Sequence, residues 1–117
     1  MLLVEDESVL RQAVSKMLRK KGFSVIEVSD GSAALDLIRA HHNHIDVLVL
    51  DITLPGASSR EVLEEAQRLR PNMKTIVTSA HSREVAASSL ANRIDYFIRK
   101  PFRSADLIAM IRGASSS

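Results

Sequence analysis

The chain contains no cysteine among its 117 residues. That excludes disulfides, thiolate metal sites and cysteine nucleophiles, and it fits a reducing, cytoplasmic setting. Aromatic residues make up 3% and are not interleaved with basic ones, so stacking on single-stranded nucleic acid is not expected. No charge of one sign dominates: 16 basic and 14 acidic side chains leave a formal charge of +2, too little to single out a phosphate backbone as partner. Long hydrophobic runs are absent. No stretch approaches a membrane span, and the start does not read as a signal peptide. What is present is a 45% apolar fraction, enough for an ordinary core in a chain the length of one domain.

The apolar residues fall into short blocks. Val47-Leu48-Val49-Leu50 runs into Asp51 and then into Ile52-Thr53-Leu54-Pro55-Gly56, which predicts a buried parallel strand ending in a carboxylate. Taken alone, Asp51 could equally be a turn former. Leu2-Leu3-Val4 is a second such strand, ending in Glu5-Asp6-Glu7. Leu10, Ala13, Val14, Met17 and Leu18 follow at helical spacing, with Arg11, Gln12, Ser15, Lys16 and Arg19 on the opposite side and Gly22 as the stop. Residues 24–29 predict a strand, 33–40 a helix and His41-His42-Asn43-His44 a polar loop. Ser58-Ser59-Arg60-Glu61 has the form of a capping box opening a third helix. Lys74 to Ser79 predicts a strand, 83–90 a weak helix and 94–99 the last strand, closed by Lys100-Pro101. Ser104 is expected to cap a last helix through Ile111, with Gly113 behind it. Residues 1–113 should form one domain and 114–117 a disordered tail.

Five strands alternating with five helices through short connections argue an α/β fold, with a parallel sheet between two helical layers. All strand ends then share one edge. Glu5 and Asp6, Asp51, Ser79 and Lys100 can meet there. Packed carboxylates repel one another and raise each other's pKa, a conflict that a hard divalent cation such as Mg²⁺ resolves. With a lysine and a hydroxyl beside it, this is equipment for stabilising a transferring phosphoryl group, with Asp51 as nucleophile.

Leu3-Val4-Glu5-Asp6-Glu7, Leu50-Asp51-Ile52-Thr53-Leu54-Pro55-Gly56, Thr78-Ser79-Ala80 and Tyr96-Phe97-Ile98-Arg99-Lys100-Pro101-Phe102, in this order and spacing, resemble the response-regulator receiver domain of two-component signalling. The resemblance covers essentially the whole chain. It implies a flavodoxin-like (βα)5 sandwich with sheet order 2-1-3-4-5. It implies that Asp51 accepts a phosphoryl group from a phosphohistidine on a histidine kinase or a histidine phosphotransfer domain. Mg²⁺ is then held by Asp6, Asp51 and the backbone carbonyl of Thr53, with Glu5 acting mainly through a bound water. Ser79 contacts a phosphoryl oxygen, Lys100 pairs with carboxylate and then phosphate, and Phe97 is the switch aromatic. A cis peptide at Lys100-Pro101 is implied as well, as is a tuning role for Thr53 and His81 in the lifetime of the aspartyl phosphate. The responding surface is that of the fourth helix, fifth strand and last helix. As an isolated domain the chain is not an enzyme, beyond assisting its own phosphorylation and dephosphorylation.

The sequence departs from the family where receivers usually carry glycine before the third helix, because Ser59 stands there. Asn92-Arg93 likewise replaces a small pair before the last strand. His41, His42 and His44 read as a solvated loop rather than a metal site. Lys16, Arg19, Lys20 and Lys21 read as a solvated helix face, with a docking role as the alternative. The apolar residues of the last helix, Ala105, Leu107, Ile108, Ala109, Met110 and Ile111, leave open a homodimer or a contact with another domain. That feature and the abrupt start point to a receiver excised from a longer protein, such as a hybrid histidine kinase. The rival from another class is a receiver-like binding module that signals without phosphate. An aspartyl-nucleophile phosphatase would need a second acid at Thr53, and no G-x-G-x-x-G follows the first strand.

Overall fold

The computed structural model describes residues 1–54, 56–81 and 96–116. Five parallel strands, β1 (Leu2–Val4), β2 (Ile26–Val28), β3 (Val47–Asp51), β4 (Lys74–Ser79) and β5 (Tyr96–Arg99), form one sheet in the order β2-β1-β3-β4-β5. Around it lie α1 (Ser8–Lys20), α2 (Gly31–His41), α3 (Ser59–Leu69) and a last helix, Ser104–Ser116. This is the flavodoxin-like order expected above. The expected fourth helix, the start of the last strand and the Asn92-Arg93 departure lie outside the described residues.

The two-residue alternation of the strands divides the core. Leu2, Val4, Leu48, Leu50 and Val77 join Ala34, Leu35 and Ile38 of α2 and Val62, Leu63 and Ala66 of α3 in one cluster. Leu3, Val49, Ile76 and Ile98 join Val14 and Leu18 of α1 and Leu107, Ile108 and Ile111 of the last helix in the other. The sheet is therefore buried on both faces, which is why β1 and the first four residues of β3 are apolar.

Local chemistry sets the element ends. Gly22 takes φ +95° just past α1. Phe23 N–H then donates to the Leu18 carbonyl and Gly22 N–H to that of Arg19, closing the helix in a Schellman arrangement. Ser58 caps α3 by accepting from Glu61 N–H. The return half of a capping box is absent: the Glu61 carboxylate takes the Ser58 hydroxyl at 3.4 Å instead of its backbone N–H.

Other expectations are corrected. Ser104 is the first helical residue rather than the cap, and the last helix runs through Gly113 to Ser116. Glycine inside a helix costs only about 1 kcal/mol relative to alanine and does not itself force a stop. His41 ends α2 and His42–His44 form a 3₁₀ turn, in place of an open loop. Ser15, expected on the solvent side of α1, is fully buried, because it donates to Glu27 of the edge strand β2 at 2.9 Å. Arg19 stays exposed on the solvated face, as expected, while donating to Glu27 and to the Val25 carbonyl. On the last helix the exposed apolar residues Ala105 and Ala109 are small, while Met110 packs against the core.

Candidate functional site

Register places the site. Val4 pairs with Leu50, Asp51 with Thr78 and Ser79 with Arg99. The residues that end these strands, or directly follow them, stand side by side on one edge of the sheet, where doubly wound folds hold their ligands.

Glu5 directly follows β1 and is buried, with 4% of its surface exposed. One of its carboxylate oxygens accepts the Glu7 N–H at 3.1 Å, and the other lies 2.6 Å from Lys100 Nζ. Asp51, the last residue of β3, is also buried. Its Oδ1 accepts the Thr53 N–H at 3.1 Å, a turn closed by the side chain, and its Oδ2 accepts from Lys100 Nζ at 3.0 Å. A single ammonium thus bridges two carboxylates that lie far apart in sequence. Asp6 is exposed and completes the group: an oxygen from each of Glu5, Asp6 and Asp51 lies within 4.8 Å of the others. The adjoining cleft of about 140 Å³ is lined by Asp6, Glu7, Asp51, Thr53, Ala80, His81 and Lys100.

The electrostatics follow from burial. Desolvation raises the Glu5 carboxyl to about 7, against the opposing pull of Lys100 and with a further push from Asp51. For Lys100, burial alone would lower the ammonium, but its bonds to Glu5 and Asp51 outweigh it and hold the group above its ordinary value. Three carboxylates against one bridging ammonium leave negative charge in excess, on an all-oxygen donor set. That donor set fits a hard divalent cation of the Mg²⁺ kind.

Ser79, at the end of β4, is fully buried. Its hydroxyl oxygen accepts the His81 N–H at 2.9 Å, and its carbonyl takes the Lys100 N–H at 2.7 Å. The Lys100–Pro101 peptide is cis. Phe97 is half-buried against the cluster that contains Val77, two strands away from Asp51. A second groove of about 390 Å³, lined by Glu7, Leu10, Ala80, Lys100, Pro101 and Phe102, opens next to the cleft.

His41, His42 and His44 are not part of this group. His42 Nδ1 lies 3.2 Å from the Ile38 carbonyl, and among the described residues Glu5, Asp6 and Asp51 form the one group placed to hold an ion. Two neighbours were missed by sequence reasoning. Arg11, taken as part of a solvated face, donates to the Glu5 carbonyl at 2.9 Å. Ser59 donates to the Asp51 carbonyl at 2.6 Å. Its signal was visible only as an unexplained replacement of a glycine.

Residues 1–112 match the family described as the response regulator receiver domain. The sensory transduction protein RegX3 of Mycobacterium bovis is 36% identical over 113 residues, covering 95% of this chain and 48% of that protein. The sensor kinase CckA of Brucella abortus is 28% identical over 112 residues, covering 95% of this chain and 12% of that protein. The chain therefore spans about half the length of the first relative and about an eighth of the second. A crystal structure of a response regulator receiver protein from Sinorhizobium medicae superposes with a TM-score of 0.85 at 30% identity, covering 96% of this chain and 90% of that one.

Proposed function

The chain belongs to the response regulator receiver domain family, and on that premise we propose that Asp51 is the phosphoacceptor of a two-component phosphorelay. Receiver domains act with histidine kinases or phosphotransfer proteins, and a phosphohistidine on such a partner is the donor here. An Asp51 carboxylate oxygen attacks the phosphorus. The P–O bond forms as the P–N bond breaks, and the histidine leaves with its electron pair and takes up a proton. The observation that carries this reading is the bridge from Lys100 to Glu5 and Asp51.

Each group has a task in that transfer. Lys100 keeps its charge, because its neighbours raise its pKa, and it passes from the carboxylate to a phosphoryl oxygen as charge develops there. Ser79 donates its hydroxyl proton to another phosphoryl oxygen. Glu5, Asp6, the Asp51 carboxylate and the Thr53 carbonyl would hold Mg²⁺, which when bound neutralises the phosphoryl oxygens and the crowded carboxylates. Thr53 and His81 border the cleft and tune the approach of water to the acyl phosphate. Phe97 and the surface of β5 and the last helix answer the new contacts, because only interactions made in the phosphorylated state can shift the equilibrium. Residues 1–113 are the receiver unit, cytoplasmic and without enzymatic output of their own. It stands alone or serves a longer protein, such as a hybrid histidine kinase, that contacts its last helix.

The deciding experiment is incubation of the chain and of Asp51→Asn with acetyl phosphate and Mg²⁺, followed by intact-mass measurement. The unaltered chain should gain one phosphoryl group and the variant none. A gain by the variant would assign the acceptor elsewhere.

A further inference from the structure

Two main-chain carbonyls of the acidic group are tied by side chains with no task in the transfer above. Arg11, in the first turn of α1, donates from Nη1 to the carbonyl of Glu5 at 2.9 Å. Its Nε lies 3.6 Å from one oxygen of Glu27. The other Glu27 oxygen accepts from buried Ser15 and from Arg19, each at 2.9 Å. Arg11 is therefore braced against β2. On the far side Ser59, buried at the start of α3, donates from Oγ to the carbonyl of Asp51 at 2.6 Å. The pairing of β1 with β3 ends at Val4 and Leu50. The peptide that follows Asp51 lies one residue beyond that rung: its N–H, from Ile52, donates to the Thr78 carbonyl of β4 at 3.0 Å, and its carbonyl is tied to a helix. Both carboxylates bridged by Lys100 thus have their own main chain pinned by the first turn of the helix that follows.

The physical need is clear. Glu5, Asp6 and Asp51 repel one another, and Lys100 draws two of them together, so their spacing is a balance of opposing forces. A donor bonded to a carboxylate would fix it but occupy the lone pairs a cation uses. A donor bonded to the peptide carbonyl fixes the residue and leaves the carboxylate oxygens free, as outer-shell partners of metal ligands do.

We propose that Arg11 and Ser59 are positioning residues that set the spacing of the divalent-cation site by holding the main chain of Glu5 and Asp51. This rests on the reading of the acidic group as a cation and phosphoryl site. The sign of the Arg11 effect separates position from charge. Acting through charge alone, Arg11 repels an incoming cation, and its removal tightens Mg²⁺ binding. Acting through position, its removal weakens binding. Ser59 carries no charge and acts through geometry only.

The test is titration of the full chain with MgCl₂, followed by amide NMR, for the unaltered protein, Arg11→Gln and Ser59→Ala, with thermal unfolding to establish that each is folded. Each variant should bind Mg²⁺ about fivefold more weakly, the equivalent of about 1 kcal/mol for one lost hydrogen bond. Tighter binding by Arg11→Gln, or unchanged binding by Ser59→Ala, overturns the proposal. If Ser59→Ala does not fold, Ser59→Gly, carrying the residue usual in the family, replaces it with the same expectation. Absence of Mg²⁺ binding by the unaltered chain overturns the reading of the cation site itself, and the proposal with it.

Discussion

Glu5 shows what burial does to a single side chain. Its folded carboxyl titrates near 7 against an ordinary value of 4.5. Across that window the folded chain holds a proton that the unfolded chain has released, so this group makes stability fall as pH rises from about 4.5 to about 7. Urea unfolding at pH 5 and pH 7.5 without divalent cations should show the loss, and Glu5→Gln, which cannot ionise, should flatten it. A slope unchanged by that substitution would mean that Glu5 is not the titrating group. Lys100 behaves oppositely: its two carboxylate partners overcome its burial, so it remains a cation throughout this range.

At the scale of elements, a close joint lies between α2 and the loop after β3. A Cβ on Gly31 would sit 1.8 Å from the Ala57 carbonyl oxygen, which is backbone and cannot rotate away. Across the same joint Ala57 N–H donates to Ser32 Oγ at 3.3 Å. Gly31→Ala should therefore destabilise the fold by roughly 1–3 kcal/mol, measurable as a lower urea midpoint. An unchanged midpoint would show that the loop yields freely. This joint was invisible in the sequence, because close approach depends on which elements meet.

What could be read in advance has the same logic. The strands were legible because apolar blocks such as Val47–Leu50 and Leu2–Val4 lie in a sheet covered on both faces. The four strand-end residues Glu5, Asp51, Ser79 and Lys100 were legible because parallel strands share an edge. Arg11 and Ser59 were not, since a hydrogen bond to a main-chain carbonyl leaves no mark on side-chain patterning. Ser15 was misplaced because its burial depends on Glu27 of another element.

For the molecule as a whole, the question is how far an event at Asp51 travels. Beryllofluoride with Mg²⁺ is a stand-in for the aspartyl phosphate. In an amide NMR spectrum it should shift Ser79 and Phe97 and extend along β5 toward the last helix. Shifts confined to Asp6, Asp51 and Thr53 would leave a chain that binds the group without passing it on, and would favour the phosphate-independent module. The bridge from Lys100 also has a consequence for how the protein comes into being. It joins Asp51 to a residue 49 positions later and reaches back to Glu5, near the start of the chain. Contacts of such sequence separation form only after the intervening chain is ordered. During synthesis, a ribosome-bound fragment lacking β5 has both acids but no ammonium between them. On the reading of Asp51 as phosphoacceptor, competence to take up phosphate is therefore acquired only once β5 is in place.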